Sequence, residues 1–114
     1  MNTQLIGTKQ AAVIIPSKDK EGKDINQRAI ADSAHRYLVA AFGGATELPG
    51  IGSWRNDAGE IIKENVLEIS SYTNKPLREI KKVLAKLGEI IKTTGNQEAV
   101  AFRITSNSSF YLGK

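Results

Sequence analysis

The chain's only tryptophan, Trp54, is followed directly by Arg55, and the next residues bring Asp57, Glu60 and Glu64 around a glycine-containing turn. An indole face attracts a planar or cationic group, and a guanidinium fork takes a carboxylate or phosphate. The three carboxylates supply the opposite charge, for the cationic part of a ligand or to orient Arg55. A plainer reading competes with this one. Trp54 then anchors a hairpin onto a helix, and Arg55 pairs with Glu64 across it.

A second constellation is basic. Arg78, Lys82 and Lys86 recur every four residues, with Lys75, Lys81 and Lys92 beside them and only Glu79 and Glu89 in opposition. At helical pitch the first three form one stripe, suited to a polyanion through salt-sensitive contacts. An ordinary solvated helix face is the alternative. No aromatic residue lies on the stripe to stack a base, and the strands lack the aromatic pair of the common RNA-recognition motif.

The remaining chemistry is sparse. His35 is the single histidine, placed mid-helix near Asp32 and Arg36, and reads as a surface residue rather than a general base. Cysteine is absent, which excludes disulfides, thiol nucleophiles and thiolate metal sites. One histidine and scattered carboxylates give no metal-ligand spacing, so no metal, cofactor or catalytic residue is expected. Gly43-Gly44 and Gly50-Ile51-Gly52 lack the lysine and helix entry of a phosphate loop and read as turns.

The elements that must position these residues follow from periodicity. Ala11–Ile15 is a β-prone run stopped by Pro16, the first strand. Asp24 and Gln27 resemble a capping box opening a helix whose apolar positions include Ile30, Ala34, Leu38 and Ala41, closed by Gly43-Gly44. Residues 45–55 and 60–72 form a hairpin around Asn56–Gly59, its first strand irregular, bulged or at a sheet edge. Asn74 caps a second helix with Leu77, Ile80, Leu84, Leu87 and Ile91 on one face, closed by Gly95. Ala99–Ile104 and Ser109–Leu112 read as final strands, the two forming a hairpin across Ser106–Ser108.

Strand, helix, strand, strand, helix, strand is the ferredoxin-like split β-α-β–β-α-β order. It predicts an α+β sandwich with both helices on one face of an antiparallel sheet. One domain spans residues 1–114, with residues 1–10 expected to be a flexible N-terminal segment. The other sheet face is left for a ligand, a partner or a second copy.

Gly52-Ser53-Trp54-Arg55, then a glycine turn, an apolar pair, a basic residue and Glu64, resembles a motif of an uncharacterised family. These are small bacterial and phage-associated proteins with a domain of unknown function. The resemblance covers about Tyr37 to Ile69. It departs from the family where Gly43-Gly44-Ala45-Thr46 replaces Pro-Asp-Gly-like residues after the helix. It implies the hairpin and the fold, and carries no reaction.

Net charge is +4, and no apolar run has the length of a membrane span. These features predict a cytoplasmic, non-enzymatic binding protein, in host cytoplasm if viral. It would form a homodimer or larger oligomer, and hold a protein partner or a small anionic ligand through Trp54, Arg55, Asp57, Glu60 and Glu64. A phage accessory factor that blocks a host defence protein is the concrete form of this expectation. The alternatives are a nucleic-acid binder using Arg78, Lys82 and Lys86, and a small hydrolase or nuclease.

Overall fold

A computed structural model describes residues 1–107 and 109–113. Its elements are β1 (Thr3–Gly7), β2 (Lys9–Ile15), α1 (Gln27–Phe42), β3 (Thr46–Arg55), β4 (Ile61–Thr73), α2 (Leu77–Thr94), β5 (Phe102–Thr105) and β6 (Phe110–Gly113). The main sheet is antiparallel with order β3-β4-β2-β5, and β1 pairs with β6 in a separate two-stranded ribbon. Four strands in this order, joined through two helices, are the ferredoxin-like arrangement.

Period-two alternation decides which side of the sheet the helices cover. Ala11, Val13 and Ile15 of β2 and Ile69 of β4 are fully buried on that side. They meet Ile30, Ala34 and Leu38 of α1 and Ile80, Leu84, Leu87 and Ile91 of α2 in one core. The opposite side carries Ile14 of β2, Glu64, Val66, Glu68, Ser70 and Tyr72 of β4, and Leu48 and Trp54 of β3. No helix covers it.

The helix starts differ from the sequence expectation. Asn26, not Asp24, caps α1, accepting a hydrogen bond from the Ala29 amide at 3.1 Å. Asp24 instead binds Lys18 Nζ at 2.7 Å, and Gln27 donates to the Ile15 and Asn65 carbonyls. Asp24 is drawn off by the loop that precedes the helix, and Gln27 by backbone carbonyls of β2 and β4. Asn74 does not cap α2 either: its Oδ1 accepts from the Thr8 amide and hydroxyl, and Pro76 takes the cap position without a side-chain bond. Gly43 ends α1 in the left-handed conformation, with its amide on the Val39 carbonyl.

The two ends of the chain also depart from expectation. Residues 3–7 form a strand, and Lys9 and Gln10 begin β2, where a flexible segment was expected. The last strand pairs with β1 rather than with β5, so the expected terminal hairpin does not form; Ser108 lies outside the described residues. Long-range pairing outcompetes the local turn because Tyr72 stacks on Phe110, ring centroids 4.5 Å apart, fixing β6 beside the end of β4. Gly7 lets the chain pass there: a Cβ at this position would stand 2.5 Å from the Thr73 backbone nitrogen.

The ribbon and the β3–β4 tip project from opposite ends of β4. The molecule accordingly measures 52 × 24 × 24 Å, with a radius of gyration of 15.3 Å. A compact chain of this length has about 13 Å.

Candidate functional site

β3 is an edge strand in unbroken register with β4 from Thr46↔Ser70 to Arg55↔Ile61. The bulge expected among Pro49, Gly50 and Gly52 is absent, and these residues are strand rather than turn. Pro49 is tolerated because an edge strand can spare one ladder bond. Gly50 and Gly52 put no side chain on the uncovered face beside Val66 and Glu64. A Cβ on Gly52 would come within 3.3 Å of Val66 Cγ1. The two glycines thus leave a trough in front of Trp54 and Glu64.

The indole and this carboxylate share the uncovered face. They line a cavity of about 790 Å³ with Ile62, Lys18, Asp19, Lys20 and Gln97–Ala101. A smaller hollow of about 230 Å³ continues from it over Ile14, Gly52 and Val66. Trp54 is 45 % exposed, so it does not anchor the hairpin onto a helix.

Glu64 is held from one side. Its Oε2 accepts from the Ser17 amide at 3.2 Å, the Ser17 hydroxyl at 3.1 Å and the Lys18 amide at 3.0 Å. These bonds fix the 17–24 loop against β4 and orient the carboxylate. Asp19 stiffens the loop through bonds to the Glu21 and Lys23 amides and to Asn96, with the Lys23 amide foremost in lowering its pKa. Gln97 donates to the Lys18 carbonyl at 2.7 Å and closes the wall. Asp24 raises the Lys18 pKa, so Lys18 stays cationic at the rim.

The other residues named from sequence are not brought together. Consecutive residues on a strand face opposite ways, so Arg55 points away from Trp54 and Glu64, and no Arg55–Glu64 ion pair forms. Asp57 sits in the exposed turn. Glu60 serves that turn, its amide donating to Asn56 Oδ1 at 2.9 Å while Gly59 adopts a φ of 82°. Arg78, Lys82 and Lys86 are exposed on α2, remote in sequence and element from this cavity. Among the described residues no group of three acidic or histidine side chains converges as a metal site would.

Two charged groups on the uncovered face are missing from the residues that the sequence singles out. Glu68 lies two positions beyond Val66, and Arg103 of β5 reaches across β2 to it, Nη1 to Oε1 2.6 Å. Ala12 beneath this bridge is fully buried and small enough to let it pass. Glu68 raises the Arg103 pKa. The alternation Glu64-x-Val66-x-Glu68 was a sign that both carboxylates share a face.

His35, expected at the free surface, donates from its Nε2 to the Glu47 carboxylate, 2.9 Å away. Arg28 donates to the same carboxylate from both terminal guanidinium nitrogens, and to Asp32 from its Nε. Arg28 first and His35 second bring the Glu47 pKa down to about 2. This cluster ties α1 to the edge strand on the covered side, away from the trough.

A comparison with family models finds no match, and none is found among curated proteins. The fold does have solved relatives. A phage SAM lyase in its apo state superposes with a TM-score of 0.69 at 16 % identity, over 100 % of this chain and 95 % of that one. The phage SAM lyase in complex with S-methyl-5′-thioadenosine gives 0.66 at 15 % identity, over 97 % and 94 %. CutA from Synechococcus elongatus gives 0.57 at 7 % identity, over 96 % and 85 %. The chain shares their fold. Among the described residues no helix is long and apolar enough to cross a membrane.

Proposed function

We propose that this chain binds an adenosyl sulfonium ligand of the S-adenosylmethionine class in the trough at Trp54 and Glu64, and releases S-methyl-5′-thioadenosine from it. The observation that carries this reading is the sharing of one cavity by an exposed indole, an oriented carboxylate and two rim lysines. A sulfonium or purine suits the indole face, an ammonium group suits Glu64, and a substrate carboxylate suits Lys18 or Lys20. The ligand named for one structural relative has the adenosyl thioether half of that description.

The chemistry asks little of the protein. Breaking the bond between sulfur and the amino-acid Cγ sends the electron pair to sulfur, turning a cation into a neutral thioether that needs no acid. The four-carbon fragment can close on itself when its own carboxylate oxygen displaces sulfur at Cγ, so water is not consumed. Holding the carboxylate near Cγ is then the main catalytic task. A chain without a catalytic motif is compatible with such a reaction.

In a phage setting, consuming or sequestering this ligand starves host methyl-transfer reactions, including those of defence systems. This gives the expected inhibition of host defence a small-molecule route in the host cytoplasm. The uncovered sheet face, with Leu48 and Trp54 about half exposed, is also assigned to contact with a second copy of the chain, which light scattering tests.

Calorimetric titration with S-adenosylmethionine and S-methyl-5′-thioadenosine, with chromatography of the incubated mixture, tests the reading. Trp54→Ala is expected to weaken binding by about ten-fold, because the cation–π attraction and the stacking surface disappear with the indole. Binding without product would leave a sequestering protein and sink the lyase step. No heat with either compound would remove the whole assignment.

A further inference from the structure

The positive charge of this protein is not spread over its surface. Residues 75–92 hold six of the sixteen cationic side chains and two of the twelve acidic ones, leaving ten of each elsewhere. The net +4 of the chain therefore resides on α2 and the two residues before it. All six cations are exposed. None of the ion pairs among the described residues involves an α2 side chain. Elsewhere, Lys18, Arg28 and Arg103 each have an acidic partner within 3 Å.

We propose that the exposed face of α2 is a docking strip for the phosphate backbone of a nucleic acid. Arg78, Lys82 and Lys86 stand about 6 Å apart along the axis, one step of four residues each. Lys75 and Lys81 widen the strip at one end and Lys92 extends it at the other. A duplex presents one charge per about 1.7 Å of its axis, so a strip of this length meets phosphates throughout. Contacts from lysine and arginine to phosphate carry no base-sequence information, so this interaction is indifferent to sequence.

A bilayer surface is a poorer match for the same charges. Interfacial helices bury an apolar face among the acyl chains. Here Ile80, Leu84, Leu87 and Ile91 are committed to the core. Leu77 and Ile90 are partly exposed, but they stand singly towards opposite ends of the helix and form no continuous apolar face to insert.

The test is fluorescence anisotropy with a short labelled DNA duplex, titrated between about 50 and 200 mM salt. The wild-type chain should bind with a log–log salt slope reflecting at least three phosphates. The triple variant R78Q/K82Q/K86Q should bind at least ten-fold more weakly at low salt, its slope shallower by about 0.9 for each phosphate no longer neutralised. The exposed positions keep the variant folded, which unchanged circular dichroism and an unchanged Tm verify. Arg55→Gln with Lys63→Gln, at the β3–β4 tip and away from α2, serves as the charge control and should bind as wild type. Equal binding by the triple variant, equal weakening in the control, or capture by anionic vesicles but not by DNA would each overturn the proposal. The measurement does not depend on what the trough at Trp54 holds.

Discussion

The two helices pack on the same sheet face, yet they use their charges in opposite ways. On α1, Arg28, Asp32 and His35 are drawn into a cluster around Glu47 of β3, so its polar side is internal stitching. On α2 the cations are exposed and enter none of the ion pairs among the described residues, while the apolar side does the structural work through Ile80, Leu84, Leu87 and Ile91. The difference teaches that a charge count says little until the partners are known. An isolated exposed pair contributes little to stability, whereas a shared, partly buried carboxylate fixes an edge strand. Unpaired cations are available for something outside.

If α2 is the structural helix, the largest effect should come from its core side. Leu84→Ala removes a side chain that is 2 % exposed and should cost about 2–5 kcal/mol in urea unfolding. A destabilisation no larger than that of an exposed substitution would break the comparison.

Next comes the stitching of α1. Glu47 has a folded-state pKa below its ordinary value of 4.5, so its contribution to stability is complete above that value. It is lost as pH falls towards about 2, because the unfolded chain then takes up the proton first. Glu47→Gln should lower Tm by several degrees at neutral pH and bring mutant and wild type together at the acid end. Parallel melting curves from neutral to acid pH would show that the cluster contributes nothing through its charge.

The smallest effect on stability belongs to the polar side of α2. Lys82→Ala should change unfolding free energy by no more than about 0.5 kcal/mol. A larger change would mean that the strip is structural and not free for a partner.

Much of the fold was legible because periodicity survives folding. The steps Leu77-Ile80-Leu84-Leu87-Ile91 placed α2 and its buried face, and the order of elements led to two helices on one side of the sheet. The site was less legible. Trp54 and Glu64 stand out together in the sequence and do share a cavity, but Arg55 joined them only by adjacency, which on a strand is a reason for separation. Gly50 and Gly52 looked like turn residues, since glycine in a sequence does not distinguish a bend from a bare patch on a pleated strand. Glu68 stood in view, but its partner Arg103 is 35 residues away and meets it only across β2.

Composition and spacing were enough for the two helices and the central strands, for which faces are apolar, and for the excess positive charge in one helix. These are local properties, set by backbone geometry and side-chain type. Tertiary structure alone decided which cations are neutralised, that Glu64 is oriented by the 17–24 loop, and that the chain's two ends join as a ribbon. Each depends on groups far apart in sequence meeting at hydrogen-bond distance, and no period along the chain encodes such a meeting.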